Sequence, residues 1–320
     1  MNATGAGALA WRLHLLNWLA IAICAATFFL CLVLTDFSIL PQSLARPLGL
    51  ALAYLAIARI FVRIRQRDSF GHYAFGSMAQ IALVASLMAP LSYVAASIGM
   101  PMQDGSLARL DNMLGLNWAG YFHLLYDRPA LIAYAHLGYG MIIWPSVVAP
   151  FVLAANGEFV RLQQFTFACV VTLAFTAAIS AVVPALGTYQ QYGIGYDPSV
   201  LLPTGYLEQL RVLPQVRSGA LRMLEIDKMV GIVTFPSFHA AAAILFIWAY
   251  WPVWWMRPLV LITNGLMLLA TPIFGGHYFI DVFAGIAVAV IAIAVSERAA
   301  HRLARPALPA GGFADAANLA

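Results

Sequence analysis

The chain reads as an all-α, polytopic membrane helix bundle with about eight transmembrane helices. Of its 320 residues 62% are hydrophobic and 9% charged, against about 45 to 50% and about 25% in soluble domains. The mean hydropathy is +0.84. Uncharged runs also recur at the length needed to cross a hydrocarbon core about 30 Å thick. Such a chain cannot clothe a water-soluble globule in solvated side chains.

Taken in order, windows of about 20 apolar residues fall at 15 to 36, 47 to 64, 74 to 99, 130 to 155, 164 to 186, 237 to 255, 258 to 274 and 278 to 296. Short connections near 65 to 73, 156 to 163 and 256 to 257 alternate with long ones near 100 to 129 and 187 to 236. One face of the bundle is therefore bare and the other built up. The run after Arg12 is too long for a signal-peptide core and lacks a small-residue cleavage site, so it reads as a retained first span. Arg63, Arg65, Arg67, Arg161, Arg257, Arg298, Arg302 and Arg305 fall on the bare side. The positive-inside rule makes that side cytoplasmic, with both termini there and the long loops outside. Trp251, Trp254 and Trp255 beside Arg257 fit an aromatic belt.

In the first long loop, Leu107, Leu110, Leu114, Trp118, Tyr121 and Leu125 recur at helical steps, which predicts an amphipathic helix in the outer interface. The second long loop is too long to lack structure. It predicts two short helices, Tyr206 to Val216 and Ser218 to Lys228, parted by Pro214 and Gly219 and forming an ordered lid. The tail from 306 to 320 is rich in Pro, Ala and Gly and is expected to be disordered. Three units follow: a transmembrane helix pair over 1–73, a catalytic membrane domain over 74–296 and a disordered cytoplasmic tail over 297–320.

Charge excludes a nucleic-acid partner. The sixteen arginines and the single lysine, Lys228, are scattered over short loops, where a nucleic-acid surface needs a basic stripe. The Arg and Ala bias fits a GC-rich bacterial genome and hence an inner-membrane location. Cys24, Cys31 and Cys169 lie in apolar runs as small hydrophobes. Asp111, Asn112, Tyr126 and Asp127 are candidates for the outer vestibule or for solvated loop positions, Tyr189 and Tyr192 for a headgroup pocket or for anchoring the interface, and His123 and His136 read as packing residues.

Ionisable side chains at span ends are costly to hold there and mark function. His239 closes FPSFH, residues 235 to 239, and His277 and Asp281 lie in GGHYFID, residues 275 to 281. The two histidines are 38 residues apart, about 57 Å of helix, so an out-and-back hairpin returns the second to the face of the first. Asp281 is four residues beyond His277 and shares its helical stripe, where it can accept a hydrogen bond from one imidazole nitrogen and leave the other basic.

PSFH, a hairpin and then GHYFID resemble the second and third signature motifs of the type 2 phosphatidic acid phosphatase superfamily of membrane lipid phosphatases and phosphotransferases. The wording FPSFHAA with GGHYFIDVFAG, the run LRMLEIDKMVG and the trio Pro184, Gly187 and Tyr189 are similar to its inositol phosphorylceramide synthase branch. The likeness covers 180 to 296 well and 100 to 155 loosely. It implies a six-helix lipid-phosphatase-like core within the bundle, and an enzyme that works without a metal or other cofactor, with membrane lipids as its substrates. His277 attacks phosphorus to give a phosphohistidine, Asp281 supports it, and His239 protonates the departing oxygen. Ser237 at the start of a helix is placed to hold phosphate oxygens, and Tyr189 to shape a headgroup pocket. The sequence departs from the family where a Ser-Arg pair precedes the third motif, since Ala270 and Thr271 stand there. Arg222 and Lys228 are the expected replacements for the missing phosphate clamp. The implied activity is transfer of a phosphorylated headgroup, such as phosphoinositol, between lipids. The alternatives are a lipid phosphate or polyprenyl diphosphate phosphatase, and a non-enzymatic transporter or scaffold.

Overall fold

A computed structural model describes residues 3–64, 69–195 and 205–305. The described chain is almost wholly helical. The first three helices are long and apolar: α1 (Ala3–Leu34), α2 (Ala45–Ile64) and α3 (Ser69–Ser97). Two short helices follow, α4 (Asp104–Met113) and α5 (Trp118–Tyr126). Then come α6 (Pro129–Gly140), α7 (Ile143–Ala155) and α8 (Phe159–Val182). The single turn α9 (Thr188–Gln191) and α10 (Gly205–Ser218) occupy the second long loop. The chain ends with α11 (Phe238–Tyr250), α12 (Arg257–Phe274) and α13 (Phe279–Ala304).

Among the described residues six helices are long and apolar enough to cross a membrane, namely α1, α2, α3, α8, α12 and α13, and the protein is an integral membrane protein. The predicted span at 130 to 155 is α6 and α7, bent by 48°. The predicted span at 237 to 255 is shorter than expected, because α11 has only 13 residues, about 20 Å at 1.5 Å per residue. Its small side chains explain why it need not face lipid. Ala240, Ala241, Ala242, Ala243 and Ala249 are all buried, and α11 forms one core with α3, α7, α8, α12 and α13.

The first long loop does not hold one surface helix. The chain breaks between α4 and α5, where Gly115 has φ of 73°. Trp118 is fully buried and donates its indole N–H to the Pro272 carbonyl at 3.0 Å, so it is a core anchor where an interfacial side chain was expected. The second predicted helix of the lid is also absent. Residues 223–224 form a short strand, β2 (Met223–Leu224), pairing in parallel with β1 (Ser38–Ile39). Leu224, Ile226 and Ile232 then pack on Phe28, Phe37 and Tyr93, closing the lid onto the ends of α1 and α3. Of the expected disordered tail, residues 297–304 instead continue α13, which runs on to Ala304, while residues 306–320 lie outside the described residues.

The N-terminal helix is fastened by polar groups. Asn17 donates to the Gln163 side chain at 3.0 Å, Gln163 donates to Ser77 at 2.9 Å, and Trp18 donates to His14 at 3.0 Å. Asn17, Ser77 and Gln163 are fully buried, and in a desolvated bundle each such group needs a partner.

Candidate active site

The two signature segments meet because α11 and α13 begin at the same end of the bundle. The Ser237 N–H donates to the Asp281 carbonyl at 3.0 Å. Gly285, one turn further along α13, lies under this junction, and a Cβ there would stand 2.2 Å from the Ser237 carbonyl oxygen. Only a residue without a side chain lets the two helices approach this closely. The expected hairpin return therefore occurs, and His239 and His277 face one cavity of about 490 Å³.

His277 is buried and Asp281 fully so. Imidazole Nδ1 lies 3.3 Å from Asp281 Oδ2, so with its proton on Nδ1 the ring donates to the carboxylate and keeps a lone pair on Nε2. The same Oδ2 accepts the Tyr278 N–H at 2.9 Å. Gly275 clears the other edge of the ring: a Cβ there would sit 2.4 Å from His277 Cδ2 and 2.9 Å from Nε2. A half-buried His239 stacks on Tyr139 of α6, with ring centroids 4.1 Å apart and planes 12° from parallel. Tyr139 also lines the cavity. Sequence reasoning missed it, because nothing in its own segment distinguishes it from an interfacial tyrosine.

The rest of the cavity lining mixes apolar residues, among them Ala85, Met88, Ile142 and Leu173, with polar but uncharged ones, Ser92, Thr176, Tyr206 and Gln209. Among the described residues, the two histidines are the only lining residues that ionise as acid or base at neutral pH.

Four expected site residues lie elsewhere. Ser237 is fully buried and absent from the cavity wall, and its hydroxyl caps α11 by accepting the Ala240 N–H at 3.4 Å. Tyr189 is buried behind the third motif, donating to the Ile273 carbonyl at 2.9 Å, so it braces the motif and does not line the pocket. Tyr206 takes the cavity position instead. Arg222 is tied to Asp36 at 2.7 Å and to the carbonyls of Val216 and Leu221 at 2.7 and 3.0 Å, with Phe37 beneath its guanidinium. Lys228 is exposed and pairs with Glu225. Both cations are committed to the lid, and neither lines the cavity. Thr271, where the resembled motif has arginine, donates to the Met267 carbonyl at 2.7 Å and is fully buried.

Asp111, expected in the vestibule or in solvent, is fully buried against the first turn of α13. Asn112 and Asp127 are exposed. His136 packs at 5.3 Å from the Phe274 ring.

His277 backed by a buried acid, and His239 on the same cavity sunk in an apolar bundle, form an arrangement able to carry group transfer through an imidazole. A profile of the PAP2 superfamily matches residues 105–295, well over half of the chain, and the chain belongs to that superfamily. Its members are phosphatases or phosphotransferases, and the function of this chain is of the lipid phosphatase or phosphotransferase type. No curated protein and no solved structure matches it.

Proposed function

We propose that the protein is a lipid phosphotransferase of the inositol phosphorylceramide synthase-like branch, moving a phosphorylated headgroup such as phosphoinositol from a glycerophospholipid to another lipid alcohol. His277 Nε2 attacks phosphorus, the bond from phosphorus to the diacylglycerol oxygen breaks, and His239 delivers the proton that oxygen needs. Asp281 stabilises the imidazolium of the phosphohistidine. The acceptor hydroxyl then gives its proton to His239 and attacks phosphorus, and the phosphorus–nitrogen bond breaks. Both histidines return to their starting states.

The observation that carries this reading is the charge of the cavity wall. A phosphomonoester brings about 1.5 to 2 negative charges at neutral pH, and burying them calls for a cationic clamp. Among the described residues the wall offers no lysine or arginine, and residues 196–204 contain neither. A diester brings a single charge, which one protonated imidazole, His239, can balance. The uncharged lining suits a neutral polyhydroxyl headgroup, and its many apolar residues suit a lipid chain.

The arginine distribution supports a bacterial inner-membrane setting with both termini cytoplasmic and the site facing the periplasm. Arg12 donates to the Leu303 carbonyl at 2.7 Å, so the first and last helices share an end of the bundle, opposite the histidines. Arg161, Arg257 and Arg302 belong to that end.

Purified protein in detergent with phosphatidylinositol and a ceramide acceptor tests the proposal. New phosphoinositol lipid and diacylglycerol are expected, with none from His277→Ala. Faster release of inorganic phosphate from phosphatidic acid than any transfer would establish the phosphatase alternative instead.

A further inference from the structure

Helix α4 carries two acids seven residues apart, Asp104 and Asp111, which puts them on one face two turns from each other. Asp111 takes the first two amides of α13, with the Phe279 N–H donating to Oδ2 and the Ile280 N–H to Oδ1, each at 2.8 Å. Asp104 Oδ1 accepts the Tyr278 hydroxyl at 3.0 Å and the Gly187 N–H at 2.8 Å. The Tyr278 N–H itself goes to Asp281 at 2.9 Å. Every residue between His277 and Asp281 is thus held by a carboxylate, and none of the three acids lines the cavity.

We infer that Asp104 and Asp111 are positioning residues for the reaction, fixing the first turn of α13 and through it the separation and direction of His277 and Asp281. This inference rests on the phosphoryl-transfer reading of the site. A helix N-terminus attracts anions through its unpaired amides and dipole. Here Asp111 satisfies that attraction, so the amides anchor the protein's own acid and leave the substrate phosphate to the histidines. Misplacement of a reacting group by about 1 Å can cost about a hundredfold in rate, so a clasp on this turn matters to turnover even without touching substrate. Burial pushes the Asp111 carboxyl above the usual carboxylate range, while its two amide donors pull the other way.

The test compares Asp111→Ala, Asp111→Asn and Tyr278→Phe, the last removing only the hydroxyl contact to Asp104. Turnover is measured on phosphatidylinositol in detergent. In parallel, carbethoxylation of His277 by diethyl pyrocarbonate is followed by mass spectrometry across pH. The expected result for Asp111→Ala is a fall in kcat of about tenfold to a hundredfold, with KM within about twofold and a displaced midpoint for His277 reactivity. Asp111→Asn keeps an acceptor oxygen and recovers most of the loss, and Tyr278→Phe shows a smaller fall in kcat. Folded variants with wild-type kcat and an unmoved His277 midpoint would overturn the inference. So would a raised KM at unchanged kcat, which would put Asp111 on the substrate. Should Asp111→Ala fail to fold, the Asn and Phe variants decide. Should the wild type turn over no phosphatidylinositol, the lipid reading fails on its own and the His277 midpoints still judge the clasp.

Discussion

A methyl group on residue 275 would press against the His277 edge that carries Nε2, 2.9 Å from that nitrogen. Gly275→Ala is therefore expected to lower kcat by about a hundredfold while leaving helix content unchanged. Circular dichroism beside a turnover assay checks it, and unaltered turnover would mean that Nε2 is not the attacking atom. His277 and Asp281 were legible in the sequence because their relation is local: four residues on one helix fix a shared face. His239 was legible because a hairpin of known rise brings it back. Tyr139 and Asp111 were not, since the stacking of one on His239 and the capping of α13 by the other depend on how α4 and α6 pack against distant segments. Ser237 and Tyr189 were named for the right neighbourhood and the wrong direction. Motif position does not say which side of the backbone meets the cavity.

At the scale of elements, the lid departs most from expectation. The segment after Gly219 carries charges at steps compatible with a helix, but Gly219 has φ of 87° and ends α10. The chain then finds an extended partner, with the Ser38 N–H donating to the Arg222 carbonyl at 2.9 Å and the Leu40 N–H to the Leu224 carbonyl at 3.0 Å. That partner lies far back in the sequence, beyond the reach of periodicity. The consequence for Arg222 is testable. Arg222→Ala should cost about 1 to 2 kcal/mol of lid stability and leave kcat of the folded enzyme within about twofold. Proteolysis of the lid and steady-state kinetics separate the two effects. A collapse of kcat in a variant whose lid stays protected would return Arg222 to the substrate.

At the scale of the whole molecule, the superfamily match begins at residue 105, yet α3, which precedes it, supplies Ala85, Met88, Ala89 and Ser92 to the cavity. The N-terminal helices are thus part of the working bundle. They are joined to it by the buried network in which Gln163 bonds Asn17, His14 and Ser77. Interhelical hydrogen bonds in membrane proteins contribute about 0.6 kcal/mol each on average. Gln163→Leu, which removes three, should cost roughly 2 kcal/mol and lower the thermal midpoint in detergent. A midpoint equal to the wild type would show that apolar packing alone seats α1. By itself the sequence determined that the chain is a membrane-spanning helical bundle, and it singled out two imidazoles and one acid as the candidates for its chemistry. Hydrophobic run length and spacing along a helix are properties of neighbouring residues, so both survive without coordinates. Only the tertiary structure decided that the described residues of the cavity wall include no lysine or arginine, that Arg222 is spent on Asp36, and that α4 grips the start of α13. Each of those depends on where remote side chains point after packing, and in a close-packed interior that is settled jointly by all the helices.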